Sequence, residues 1–179
     1  MRDSAILAYM NEIVDRVNAQ LMERLPGDYL IAHSIDRPLN PSRTSELDVH
    51  QADANLEFFH SKTPGSMPPH ELKLKKGAPV LMTANLDMES GLVNGTRMQL
   101  LDMTVARQSA QGPTLPMARC LVLNGKSKGK QIMLVPTRFH HGLEKGSMET
   151  PFERVQLPIK PAFAMTVDKA QGTIHCRCY

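Results

Sequence analysis

The sequence predicts an α/β segment followed by an all-β segment, and three observations carry that prediction. An apolar run leads into an amphipathic helix near the start. After His70, short apolar stretches alternate with glycine and asparagine turns. A last apolar stretch, residues 162–172, reads as a strand or the start of a helix. The 179 residues fit one ordinary domain or two small ones, and 41% hydrophobic with 22% charged residues excludes disorder of the whole. With only 4% aromatic residues and 12 Met, the predicted core is aliphatic and methionine-rich.

Each element has a local reason. Ala5-Ile6-Leu7-Ala8 is long enough for a buried strand. Asn11, after Tyr9 and Met10, is a good helix N-cap, with Glu12 and Asp15 in the first turn, where the helix dipole favours acid. Ile13, Val17 and Leu21, with Val14 and Leu25 beside them, form the apolar face, and Leu25-Pro26-Gly27 stops the helix. Tyr29–Ala32 reads as a strand, Arg37–Arg43 as loop, Leu56–Phe59 as a helical turn and Ser61–Pro69 as a linker. Next, Leu72 and Leu74 alternate with lysines. Pro79–Met82, Thr96–Leu101, Cys120–Leu123, Gln131–Val135 and Val155–Ile159 then read as strands, with Asn124-Gly125 as a hairpin turn. Short strands at this spacing suggest a small β-barrel.

Charge is unevenly distributed. Residues 1–70 hold six basic against ten acidic side chains, and residues 71–179 hold fifteen against eight, so the second part is the one suited to a polyanion. No stretch approaches the roughly 20 apolar residues of a membrane span, and no signal peptide opens the chain. Cys120, Cys176 and Cys178 are too few and too badly spaced for a disulfide framework, which points to a reducing compartment, nucleus or cytoplasm.

Several motifs are excluded on their chemistry. Asn124-Gly125-Lys126-Ser127 contains Gly-Lys-Ser, but a phosphate loop needs an earlier glycine where Cys120 stands. His175-Cys176-Arg177-Cys178 has one residue between its cysteines where tetrahedral zinc wants two to four, and His140-His141 lack partners at ligand spacing. No nucleophile motif occurs, so no catalytic residue and no metal ligand is assigned. Two segments remain. Asn94-Gly95-Thr96-Arg97 combines a tight turn with donors suited to backbone phosphate, or is an ordinary hairpin. Thr166, Lys169, Gln171 and Gly172 bring a hydroxyl, an ammonium, an amide and a glycine within seven residues. Lys126, Lys128 and Lys130, with Arg138, are a solvated face or an electrostatic guide for DNA.

Read in order, four blocks resemble the C-terminal half of the petite-integration-frequency helicases, including relatives carried by Helitron transposons. Ala5–Ala8 through Asn11-Glu12, Val14-Asp15 and Asn18 is similar to the fourth helicase motif of that family. Pro68–Val80 is similar to the stretch entering its inserted barrel, and Asn85-Leu86-Asp87 with Gly91–Arg97 to the block that follows. Gln156-Leu157-Pro158 through Ala162–Thr166 to Lys169–Gly172 looks like the fifth motif.

The resemblance implies a partial RecA-like motor lobe, residues 1–70 and 152–179, interrupted by a Src-homology-three-type β-barrel over 71–151. It implies part of an ATP-dependent 5′-to-3′ DNA helicase acting in repair, recombination, telomere maintenance or transposon replication, with single-stranded DNA as partner. Thr166, Lys169, Gln171 and Gly172 inherit a DNA contact, and so do Asn94, Gly95, Thr96 and Arg97. Asn11, Gln171 and Gly172 inherit a place beside the nucleotide cleft. ATP and Mg²⁺ belong to the intact enzyme, whose first motor lobe would come from the same or another chain; this chain alone is expected to bind neither and to lack ATPase activity. It contains neither the phosphate loop nor the sixth-motif arginine. It also departs at Ala84, where relatives carry a basic residue, and at Asp168, whose carboxylate would repel phosphate. The alternatives are a non-catalytic module binding single-stranded nucleic acid or protein, and a decayed transposon remnant.

Overall fold

A computed structural model describes residues 4–39, 56–65, 67–104, 108–109, 112–113, 115–143 and 150–167. In chain order the elements are β1 (Ile6–Ala8), α1 (Asn11–Arg24), β2 (Leu30–His33), β3 (Ile35–Pro38), β4 (Glu71–Leu74), β5 (Pro79–Met82) and β6 (Arg97–Thr104). They continue with β7 (Gln108–Ser109), β8 (Gly112–Pro113), β9 (Met117–Val122), β10 (Gln131–Leu134), β11 (Thr137–His141), β12 (Phe152–Gln156), β13 (Ile159–Pro161) and β14 (Ala164–Thr166). Residues 56–61 form a short helical turn. No helix among the described residues is long and apolar enough to cross a membrane.

The helix begins one residue earlier in its capping frame than the sequence suggests. Met10, in extended conformation, occupies the N-cap without a side-chain hydrogen bond, and Asn11 is the first helical residue. The buried stripe is Val14, Asn18 and Met22, one position round from the predicted face, and Ile13 is exposed. A polar contact made by Asn18, described below, sets that rotation.

The largest sheet has the order β10-β9-β6-β5-β13, with every pair antiparallel. Its described pairings leave it open, with β10 and β13 at the edges. β5 is buried at all four positions, and β9 alternates exposed and buried over most of its length, as a half-covered strand should. The Asn124-Gly125 turn joins β9 to β10 with Gly125 at φ 74°, a left-handed conformation that costs glycine little. β2 pairs with β4, so Leu72 and Leu74 point inward as their alternation predicts. The core joins Met22, Leu72, Leu74, Val80, Met82, Met98, Leu100, Met103, Leu134 and Ile159. Four methionines, Met22, Met82, Met98 and Met103, are among its buried residues, in line with the composition.

β3, β12 and β11 form a separate antiparallel sheet. Sequence patterning reads Arg37-Pro38 as loop and gives no strand at 137–141: the partner of β3, β12, lies far along the chain, and β11, though near β12, has no apolar alternation of its own. Beside this sheet Arg154 is wholly buried. Its guanidinium meets Asp36 at 2.6 and 2.9 Å and donates to the carbonyls of Phe59, Lys62 and Pro68 at 2.7, 2.8 and 3.1 Å. Burial alone would raise the Asp36 pKa, but bonds from Arg154 and Ser34 outweigh it and hold the carboxyl below its usual range. Gln156, also fully buried, donates to the carbonyls of Ala32, Pro69 and His70. The connector 59–70 is therefore fixed by two polar side chains of β12.

Candidate nucleic-acid interface

The two segments likened to the fourth and fifth motifs lie side by side. β1 and β14 pair in parallel, Ile6 with Ala164, Leu7 with Met165 and Ala8 with Thr166. Asn11, at the start of α1, then lines one small cleft with Thr166 and Lys160. Asn18 locks the arrangement: its Oδ1 accepts the Ala164 N–H at 2.8 Å, and its Nδ2 donates to the Ala164 carbonyl at 3.1 Å. Both backbone groups of Ala164 are thus held by one amide from α1. Sequence reasoning gave Asn18 no such role; the signal was a polar residue centred between Val14 and Met22 at four-residue spacing. A groove of about 590 Å³ runs along α1 past Asn11, Asn18, Tyr29, Lys73 and Lys160.

The turn 94–97 faces mostly inward. Asn94 is exposed, and its N–H donates to Asn85 Oδ1 at 2.8 Å. Gly95 turns the chain at φ 92°. Thr96 Oγ1 accepts the Val93 N–H and donates to the Gly91 carbonyl, both at 3.1 Å. Arg97 is only 4% exposed, and its Nη2 donates to the Ser4 carbonyl at 2.9 Å, with the Ala162 carbonyl at 3.5 Å. The reading of this turn as a set of exposed donors therefore holds for Asn94 and fails for Thr96 and Arg97, whose polar groups bond within the fold. Arg97 instead ties β6 to the backbone flanking β1 and β14.

The basic run joins the same end of the sheet. Ser127 Oγ donates to the Ser90 carbonyl at 2.7 Å, and Asn124 Oδ1 accepts the Arg97 N–H at 2.9 Å. A Cβ on Gly91, whose φ is +77°, would stand 3.4 Å from Lys126 Cβ, so the two loops are in contact. The 85–95 loop therefore packs on the 124–127 turn, and Asn94, Lys126, Lys128 and Lys130 are all exposed. Arg138 is exposed on β11 of the other sheet and does not join them. Asp87 shapes the 85–95 loop by accepting from the Glu89 N–H at 3.0 Å and Ser90 Oγ at 2.6 Å. The hydrogen bonds of Ser90 hold the Asp87 carboxyl below its usual range. Lys169, Gln171 and Gly172, with Cys176 and Cys178, lie outside the described residues.

Comparison with known proteins adds the following. Residues 57–103 match the family described as DNA helicase Pif1, 2B domain. The ATP-dependent DNA helicase PIF1 of Danio rerio is 26% identical over 166 residues, which cover 91% of this chain and 21% of the relative. That of Homo sapiens is 29% identical over 160 residues, covering 89% and 20%. That of Rattus norvegicus is 30% identical over 173 residues, covering 90% and 25%. The chain thus spans a quarter or less of these relatives. Among solved structures, the Pif1 helicase of Candida albicans superposes with a TM-score of 0.61 at 23% identity, covering 95% of this chain and 37% of that one. Bacteroides Pif1 bound to single-stranded DNA gives 0.58 at 15% identity, covering 96% and 33%.

Proposed function

This chain belongs to the Pif1-type helicases and corresponds to their C-terminal part; on that premise we propose that it supplies part of a motor lobe and a DNA-gripping insert to an ATP-dependent 5′-to-3′ helicase. Residues 1–70 and 152–179 are the motor-lobe portions, and 71–151 are the insert, a Src-homology-three-type barrel. One observation carries the reading. Strands β1 and β14, separated by most of the chain, pair in parallel and put Asn11 and Thr166 on one cleft. Such a pairing is what two motor-lobe segments flanking an insertion require.

The chemistry follows from the groups present. The exposed lysines 126, 128 and 130 attract a single strand by releasing its counterions, and exposed Asn94 offers an amide on the loop that packs against Lys126. Thr166, with Lys169, Gln171 and Gly172 beyond it, grips backbone phosphate near the nucleotide cleft. ATP and Mg²⁺ need a phosphate loop, which this sequence lacks, so the first motor lobe must supply them and this chain alone does not hydrolyse ATP.

Anisotropy of a labelled single strand titrated with the chain at two salt concentrations tests the reading. Binding should weaken steeply with salt, and replacing Lys126, Lys128 and Lys130 by Ala should cut the log–log slope by about 0.7 per lysine. An unchanged slope would remove these lysines from the interface. Phosphate release by the purified chain, surviving removal of contaminating ATPases, would overturn the claim of inactivity.

A further inference from the structure

Three histidines from separate segments meet beside the buried Asp36–Arg154 pair. His33 ends β2, His60 sits in the turn 56–61, and His70 precedes β4. The rings of His60 and His70 stack with centroids 3.5 Å apart and planes at 14°, and the His33 ring lies 5.5 Å from His70 at 49°. Nitrogen atoms of His60 and His70 and a carboxylate oxygen of Asp36 lie within 4.8 Å of one another. The nucleic-acid reading uses none of these groups. Their distance in sequence is why no ligand spacing betrays them.

Hydrogen bonding fixes the state of His70. Ser34 Oγ lies 2.6 Å from Asp36 Oδ1 and 2.8 Å from His70 Nδ1. An ionised carboxylate only accepts, so Ser34 donates to Asp36, and its oxygen accepts the proton on His70 Nδ1. His70 Nε2 is then left with a lone pair. A carboxylate network behind one ring nitrogen, with the other nitrogen open, is how metal-binding histidines are oriented.

The backbone beneath the rings is also fixed. Arg154 bonds the carbonyls of Phe59 and Lys62, on either side of His60. Gln156 and the Ser34 N–H both bond the His70 carbonyl, each at 2.9 Å. The backbone that carries these ligands is thus held in place, and only their side chains need to rotate to close on an ion.

We propose that His33, His60 and His70 form a binding site for a divalent transition ion of the zinc, cobalt or nickel class, with Asp36 acting from behind through Ser34. Imidazole nitrogens suit such ions and not Mg²⁺ or Ca²⁺, which take oxygen ligands. Asp36 is not the third direct ligand, because its oxygens already accept from Arg154 and Ser34; withdrawing them would leave the buried guanidinium unpaired. His33 is exposed and its ring already lies 5.5 Å from that of His70, so a side-chain rotation brings it to the same ion. Binding needs the stacked rings to splay, and side-chain rotation at His60 provides that. The bound ion would tie the connector 59–70 to β2.

The test is titration of the full chain, stripped with chelator, with Zn²⁺ or Co²⁺, followed by calorimetry and by the Co²⁺ absorption spectrum. One equivalent should bind, and Mg²⁺ should not compete. His60→Phe keeps a ring in the stack but removes the ligand, so it should abolish that equivalent while leaving melting in chelator unchanged; His70→Ala should also abolish it. Ser34→Ala should weaken binding about 10- to 100-fold. A Cys176→Ser/Cys178→Ser double variant should bind as the parent does. The proposal is overturned if the folded parent binds no ion, if His60→Phe binds like the parent, or if the double cysteine variant loses the ion.

Discussion

The five-stranded antiparallel sheet and the parallel β1–β14 pair differ in how much core supports them. In the first, neighbours such as β5–β6 and β9–β10 are close in sequence, every strand contributes to one core, and β5 has no exposed position. In the second, two three-residue strands meet across most of the chain, and β1 leaves Ile6 49% and Leu7 39% exposed. Tyr9, 91% exposed, Met10 and Ile13 extend that apolar surface onto α1. Parallel strands are ordinarily covered on both faces; β1 is left partly exposed by the described residues. The sheet thus rests on one large core, while the β1–β14 pair rests on buried β14, a small cluster of Leu81, Ala162 and Met165, and two polar clamps, Asn18 on Ala164 and Arg97 on the backbone of Ser4.

The largest expected effect falls on the buried charge beside the sheets. Arg154→Ala leaves Asp36 buried without its partner and releases three connector carbonyls, so it should cost about 3–5 kcal/mol in chemical denaturation. A loss below 1 kcal/mol would show that water reaches Asp36. Next comes the direct contrast of the two regions. Leu100→Ala, in the sheet core, should cost about 2–5 kcal/mol, whereas Leu7→Ala on exposed β1 should cost less than about 1 kcal/mol. Equal costs would mean that β1 is covered in solution.

Asn18→Ala should cost about 1–3 kcal/mol, since the buried N–H and carbonyl of Ala164 both lose their partner. Hydrogen exchange would locate the damage: faster at Ala164, unchanged at Leu100. The smallest effect concerns Cys120, whose thiol burial pushes from 9.0 up to about 12. The folded chain therefore holds that proton more tightly than the unfolded chain. The stability this gives is complete below about pH 9 and is lost as pH rises toward 12. In a background lacking Cys176 and Cys178, a thiol reagent near neutral pH should react only after denaturant is added. Prompt reaction without denaturant would mean that the sheet core opens.

Much of the local structure was legible. The strand at 6–8, the helix and its stop before Pro26, the Leu72/Leu74 alternation and the β9–β10 hairpin all arise from residues within one or two turns of each other. β3 and β11 were not, because a short polar strand such as Thr137–His141 becomes a strand only through its partner β12. The candidate interface was legible in part. The loop that carries Asn94 packs on the turn that carries Lys126, and Asn11 and Thr166 line one cleft. Arg97 read as a surface cation because its turn looks exposed; it is drawn inward by carbonyls 93 and 65 residues away in sequence.

By itself, then, the sequence determined the helix, most of the strands, the methionine-rich core and the resemblance to a helicase family, because periodicity, turn chemistry and ordered motifs are properties of neighbouring residues. Tertiary structure alone decided which polar side chains face solvent and which act as internal fasteners. Asn18, Arg97 and Arg154 are buried only because they find partners distant in the chain, as Asn18 finds Ala164 146 residues away. A buried polar group is tolerable only when such a partner is in place, and no local pattern records where that partner will be.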